Sequence, residues 1–140
     1  MSKIAVVYWS GTGNTEKMAQ AVADAASAKG ADVDLLTVDA FDTGAVSAYD
    51  AIAFGCPAMG AEVLEESEFE PMFAAVEGSL GGKTIGLFGS YGWGDGEWMR
   101  SWEDRCRAAN AVLVMDGVMA NNEPDDEALA ACASLGEALA

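Results

Sequence analysis

The side chains that most often perform catalysis are scarce in this sequence. Its 140 residues include no histidine and three cysteines, Cys56, Cys106 and Cys132. The absence of imidazole excludes Ser-His-Asp and Cys-His chemistry and removes the commonest metal ligand. The cysteines are separated by 50 and 26 residues, which fits neither a redox pair nor a zinc or iron–sulfur site, so we expect buried free thiols and no metal. Demanding chemistry would therefore require a bound organic cofactor.

The segment from Ser10 to Thr15, Ser-Gly-Thr-Gly-Asn-Thr, has the composition of a phosphate-binding loop. It follows an apolar run and opens a helical pattern, a position in which backbone N–H groups and the helix dipole favour an anion. It is not a P-loop, because no lysine stands where one would reach the phosphates, and Glu16 replaces the third glycine of the dinucleotide motif. The segment predicts a site for a single phosphate monoester. The alternative is a turn that only caps the helix.

Two further loops have unusual compositions, residues 57–62 and residues 91–96. Trp93 lies between two glycines, which disfavour regular buried structure, so its indole is available to stack on a flat aromatic ring. The alternative is that Trp93 folds back over the core. Met59, beside Gly60, would cover the opposite face of such a ring with its polarizable thioether; the alternative is a core methionine. The remaining tryptophans are interpreted as core residues: Trp9, Trp98 and Trp102.

The elements that must position these loops are predicted by the hydrophobic pattern. Five short apolar runs rich in β-branched residues predict strands at 3–9, 32–38, 50–56, 83–90 and 111–118. Helical spacing predicts helices at 15–29, 67–80, 95–109 and 125–139, and at most a short helix within 39–49. Apolar strands that alternate with helices indicate a doubly wound parallel α/β sheet in a single domain of residues 1–140. Ligands of such sheets bind at the carboxyl ends of the strands, so the three loops should converge.

The charge balance limits the partners. The chain has 23 acidic and 7 basic side chains and a formal net charge of −16, which disfavours nucleic acid and anionic membrane surfaces. No apolar run is long enough to span a bilayer, and the first residues lack the pattern of a signal peptide. We therefore expect a cytoplasmic protein whose protein partners present basic surfaces.

Three motifs, in this order, resemble those of the flavodoxins, small electron carriers that bind flavin mononucleotide (FMN). Residues 8–16 resemble their phosphate loop, and residues 55–60 and 87–94 resemble the two flavin loops of the short-chain, clostridial-type members. The match covers nearly the whole chain. It implies a five-stranded parallel sheet in the order 2-1-3-4-5, with helices on both faces, and noncovalently bound FMN. The cofactor-binding residues that it implies are Ser10, Gly11, Thr12, Gly13, Asn14, Thr15, Pro57, Ala58, Met59, Gly60, Ala61, Glu62, Ser90, Tyr91, Gly92, Trp93 and Gly94.

The resemblance also implies individual roles within this set. The carboxylate of Glu62 would accept a hydrogen bond from N3–H of the flavin. Ser90 and Tyr91 would supply backbone and hydroxyl groups to the pyrimidine side or the ribityl chain. Gly60 would be the first central residue of a tight turn over residues 59–62, where a positive φ suits glycine. Ala61 stands where many relatives have a polar residue, so a side-chain hydrogen bond is missing there.

The function predicted is that of a low-potential, one-electron carrier between redox proteins, without bond-making catalysis. The resemblance implies a monomer and partners such as ferredoxin-linked oxidoreductases. Five carboxylates are interpreted mainly as solvated surface, and with Asp95 and Glu97 they would form a docking rim for basic partners. They are Glu62, Glu65, Glu66, Glu68 and Glu70.

Three other functions are found on similar sheets, and two of them lack a required residue in this sequence. An NAD(P)H-dependent quinone or azo reductase remains the alternative, disfavoured by the missing dinucleotide motif and the missing second domain. A receiver domain would need an acceptor aspartate where Cys56 and Pro57 stand. A phosphatase would need an arginine six residues after its cysteine, where Glu62 and Val112 follow Cys56 and Cys106.

Overall fold

The computed structural model of the chain describes residues 2–11, 13–59, 63–92, 94 and 96–140. Within these residues the strands are β1 (Lys3–Tyr8), β2 (Asp32–Thr37), β3 (Ala51–Gly55), β4 (Thr84–Tyr91), β5 (Val112–Leu113) and β6 (Val118–Asn121). The α-helices are α1 (Asn14–Ala28), α2 (Phe69–Glu77), α3 (Glu97–Ala108) and α4 (Asp126–Leu139). Two short 3₁₀ helices, Val38–Ala40 and Thr43–Ala48, lie in the region where the sequence predicts at most a short helix.

The strands form one parallel sheet in the order β2-β1-β3-β4-β5, and β6 also pairs with β4. This order confirms the predicted doubly wound fold. The single fifth strand expected over 111–118 is instead split into β5 and β6. The N–H of Gly117 donates to the carboxylate of Glu103 in α3 at 2.8 Å, and a Cβ at this glycine would collide with the side chain of Met99. The close approach of α3 therefore takes residues 114–117 out of the strand.

The central strands β1, β3 and β4 are apolar on both faces because helices cover both. Ala5 and Val7 of β1 belong to a core cluster that includes residues of α2 and α3, whereas Ile4 and Val6 pack with α1 and α4. Since successive side chains of a strand point to opposite faces, this alternation explains the continuous apolar run. No helix among the described residues is long and apolar enough to cross a bilayer.

Candidate functional site

A cleft of about 230 Å³ opens at the carboxyl ends of β1, β3 and β4. It receives residues from each of the three loops that the sequence singles out, so the expected convergence occurs among the described residues. Residues 57–59 give it an apolar wall, and Asn14, Ser90 and Asn122 add amide and hydroxyl groups to its lining. The lining residues are Trp9, Gly11, Asn14, Pro57, Ala58, Met59, Ser90, Tyr91, Gly92 and Asn122.

The amino end of α1 borders this cleft. Gly13 precedes the helix with φ of 95° and has no side chain with which to cap it. The hydroxyl of Ser10 accepts hydrogen bonds from the N–H groups of Gly13 at 3.0 Å and Glu16 at 3.3 Å, which holds the loop against the helix. The first N–H groups of a helix have no intrahelical acceptor, so this end of α1 favours an anionic ligand.

Two hydroxyls join the first loop to β4. Thr15 and Ser90 are 1% and 5% exposed, and their oxygens lie 3.2 Å apart in a hydrogen bond. The sequence predicts that these residues contact different parts of the ligand, the phosphate and the ribityl chain or pyrimidine. Their hydrogen bond places those two predicted contact points side by side.

The loop after β3 is fixed to β4 and to itself. Ala58 donates its N–H to the carbonyl of Ser90 at 3.0 Å, and Met59 and Val63 exchange two backbone hydrogen bonds of 2.8 and 2.9 Å. This antiparallel bridge closes the base of the turn expected over residues 59–62. Tyr91 also lines the cleft, and its ring lies 5.4 Å from that of Trp98.

Trp9 differs from its interpretation as a core residue. It packs against the core but also forms part of the wall of the cleft and of an adjoining groove of about 440 Å³. Ser10 and Gly13 line that groove rather than the cleft. The indole N–H of Trp9 donates to Glu68 at 3.1 Å. Trp98 and Trp102 are buried in the core as expected.

Asn122 is a cleft residue that the sequence reasoning missed. It follows β6 with a positive φ of 58°, and its N–H donates to the carbonyl of Tyr91 at 2.7 Å. The signal was available, since Asn122 also stands at the carboxyl end of a strand and asparagine tolerates this conformation. It was missed because the loop lacks the glycine-rich composition of the other three.

The acidic run after the cleft is not a uniform solvated face, and the expectation for Glu65 is wrong. Glu65 is only 6% exposed, and its carboxylate accepts three backbone hydrogen bonds at the start of α2. Burial raises its pKa, but the N–H groups of Phe69, Glu68 and Ser67 outweigh burial and lower that pKa below its usual value.

Glu70 is likewise not a freely solvated carboxylate. It forms a two-pronged ion pair with Arg105, with both N–O distances at 2.7 Å. Arg105 also binds Glu77 at 2.7 Å, and its guanidinium lies over the ring of Phe73. Glu66 and Glu68 are the members of the run that are exposed among the described residues.

Several predicted site residues lie outside the described residues, and their roles stay predictions. Gly94 is described but lines neither the cleft nor the groove. The predicted site residues outside the described ranges are Thr12, Gly60, Ala61, Glu62 and Trp93, and Asp95 of the predicted rim is outside them as well.

Comparison with known proteins identifies close similarity over nearly the whole chain. The family model described as flavodoxin matches residues 6–136. A flavodoxin of Clostridium beijerinckii is 46% identical over 96% of this chain and 97% of its own length. A flavodoxin of Megasphaera elsdenii is 47% identical over 98% of both chains. The solution structure of the two-electron reduced M. elsdenii flavodoxin superposes with a TM-score of 0.88 over 97% of each chain.

Proposed function

The chain belongs to the flavodoxin family of FMN-binding electron carriers, and on that premise we propose that it holds FMN in the cleft between its three loops. The observation that supports this most directly is that the amino end of α1 meets an apolar slot at one sheet edge. The flavodoxin fold is itself an established example of ligand binding at such an edge.

The donors around the first loop fit a phosphate monoester. They are neutral hydroxyl, amide and backbone N–H groups, and the nearby Lys17 is paired with Glu123 at 2.7 Å. We assign the phosphate to Ser10, Thr12, Asn14 and Thr15, together with the N–H groups at the start of α1. Binding through hydrogen bonds at a helix end requires no cationic side chain.

The apolar walls fit a flat ring system. Pro57, Ala58 and Met59 would cover one side, Tyr91 and Trp93 the other, and these contacts would exclude water from the ring. Glu62 would accept the N3–H of the ring, and Asn122, which lines the cleft, would bond the polar chain between ring and phosphate. When bound, FMN supplies one-electron redox chemistry. An apolar slot bordered by carboxylates disfavours added negative charge, which is the physical basis for a low potential.

We assign the protein no bond-making catalysis and a monomeric state. Its partners would be redox proteins that dock with basic surfaces at the exposed carboxylates Glu66, Glu68 and Glu97, with Glu62 and Asp95 completing the rim. Its three cysteines are free buried thiols, in keeping with a reducing compartment such as the cytoplasm.

The assignment is tested by titrating the apoprotein with FMN and with riboflavin, which lacks the phosphate. We expect much tighter binding of FMN, because each hydrogen bond to a charged group contributes roughly 1.5 to 3 kcal/mol. Thr12→Ala should weaken FMN binding and leave riboflavin binding nearly unchanged. The control is Ser27→Ala, an exposed hydroxyl near the opposite end of α1, which should affect neither. Equal affinity for the two flavins would contradict the phosphate assignment.

A further inference from the structure

Glu65 makes an unusual set of contacts for a residue in an acidic surface run. Its Oε2 accepts the N–H of Ser67 at 2.8 Å, and its Oε1 accepts those of Glu68 at 2.7 Å and Phe69 at 2.9 Å. Glu68, the residue that directly precedes α2, forms no side-chain cap among the described residues. The carboxylate of Glu65 therefore takes over the capping of α2 from a position four residues before the helix begins.

The backbone of Glu65 is bound in the opposite direction, toward the cleft. Its N–H donates to Sγ of Cys56 at 3.3 Å, and Cys56 is the residue directly before the apolar wall of residues 57–59. Two residues earlier, Val63 forms the antiparallel bridge with Met59. Two contacts thus close the segment that carries Met59: the bridge of Met59 with Val63, and the hydrogen bond between Cys56 and Glu65. Because Glu65 also caps α2, it connects this segment to a helix in the core.

We propose that Glu65 is a positioning residue for the flavin site, which holds Met59 and Val63 in place by fixing their segment to the amino end of α2. This inference rests on the proposed function, because it assumes that residues 57–59 contact the flavin. A carboxylate is required, since it presents acceptors on both oxygens and the amide of glutamine presents only one. Glu65→Gln would leave the N–H of Ser67 facing an NH₂ group and would remove the charge from the remaining bonds.

The test compares Glu65→Gln with two matched controls. Glu137→Gln removes the same charge from an exposed residue of α4 outside the site and the docking rim, so it reports the effect of net charge alone. Asp125 caps α4 by accepting the N–H of Ala128 at 2.8 Å, so Asp125→Ala reports the loss of a helix cap elsewhere. For each variant we would measure the affinity for FMN and riboflavin, the visible spectrum of bound flavin, and the hydrogen exchange of the Met59 and Val63 amides in the apoprotein.

We expect Glu65→Gln to weaken the binding of both flavins by about tenfold, the effect of losing one charge-assisted hydrogen bond. The loss is shared because the residue acts on the ring side and not on the phosphate loop. The Met59 and Val63 amides should exchange faster, and the spectrum of the bound flavin should change. Both controls should keep parental affinity, spectrum and exchange at these two amides, although Asp125→Ala should unfold at lower urea.

Three results would overturn the proposal: parental affinity in Glu65→Gln, an equal loss in Glu137→Gln, or unchanged exchange at Met59 and Val63. Should Glu65→Gln fail to fold, Glu65→Asp keeps the charge on a shorter side chain, and the same measurements apply to it with the same criteria. A parent protein that binds riboflavin as tightly as FMN would contradict the phosphate assignment, but the comparison of Glu65→Gln with its controls would still decide the positioning role.

Discussion

One tyrosine hydroxyl and three cysteine thiols in the core have raised pKa values. The hydroxyl of Tyr49 donates to Asp34 at 2.7 Å, and burial together with that carboxylate raises the pKa of Tyr49 to about 12. Burial also raises the pKa of the thiols of Cys56, Cys106 and Cys132 to about 12 each. In every case the folded protein favours the neutral form.

These shifts predict alkaline destabilisation. A group whose pKa is higher in the folded state contributes stability that is complete below its unfolded pKa and is lost as the pH rises toward its folded pKa. The free energy of unfolding should therefore be constant near neutrality and fall between pH 9.0, the ordinary value for cysteine, and about 12. Urea unfolding at a series of pH values measures this. Tyr49→Phe should reduce the fall above pH 10.0, the ordinary value for tyrosine; a parent protein equally stable at pH 8 and pH 11 would contradict the prediction.

The residue scale also shows how much of the site the sequence could predict. Gly11, Pro57, Met59 and Tyr91 were predictable because their loops follow apolar runs and resemble the flavodoxin motifs. Glu65 was not, because five glutamates in nine residues look alike in a sequence. Its burial depends on where α2 begins, and α2 begins at Phe69 because Glu65 caps it.

At the scale of elements, the strands and helices were predicted with their order, and their ends were not. Periodicity reports which face of an element is buried, and it changes little when an element is shortened by one or two residues. The division between β5 and β6 depends on Glu103 and Met99 of α3, which approach Gly117 from a distant part of the chain. A contact of this kind leaves no trace in the local pattern of residues 111–118.

The packing of α1 against α4 depends on a glycine. A Cβ at Gly136 in α4 would collide with the backbone carbonyl of Val22 and lie 3.1 Å from the N–H nitrogen of Ala26 in α1. Backbone atoms cannot rotate away as a side chain can, so α4 would have to move outward from the core that Leu135 and Leu139 occupy. The absence of a side chain at Gly136 therefore allows α1 and α4 to pack at their present separation.

Overpacking in Gly136→Ala should cost roughly 1 to 3 kcal/mol in the free energy of unfolding, before any gain in helix propensity is counted. This loss should exceed the gain in helix propensity, which is about 1 kcal/mol. Gly78→Ala is the matched control, because Gly78 has an α-helical conformation with φ of −68° and open space around a new Cβ. It should leave stability unchanged or raise it slightly. Equal urea midpoints for the two variants would show that α4 can shift outward without loss.

At the scale of the whole molecule, the dominant property is the net charge of −16. Several of the seven basic side chains are already engaged locally, as in the pairs of Lys17 with Glu123, Arg105 with Glu70 and Glu77, and Arg107 with Asp104. The 23 acidic side chains far outnumber the 7 basic ones, and the repulsion among the excess carboxylates opposes the compact state. The same field attracts a basic partner.

Added NaCl should therefore act in opposite directions on stability and on docking. The screening length for charges shortens from about 10 Å at 0.1 M salt to about 3 Å at 1 M salt. Added salt therefore weakens both the repulsion within the protein and the attraction to a basic partner. We expect the melting temperature of the apoprotein to rise by about 4 °C per kcal/mol of repulsion removed, and the rate of electron delivery to a basic redox partner to fall steeply. Calorimetry and stopped-flow measurements in the same NaCl series provide both numbers.

Glu66→Gln, which removes one rim charge, should reduce the salt dependence of the rate. A rate independent of ionic strength would indicate instead that partners dock through an apolar patch, with the exposed Val63 and Met119 as its first candidates.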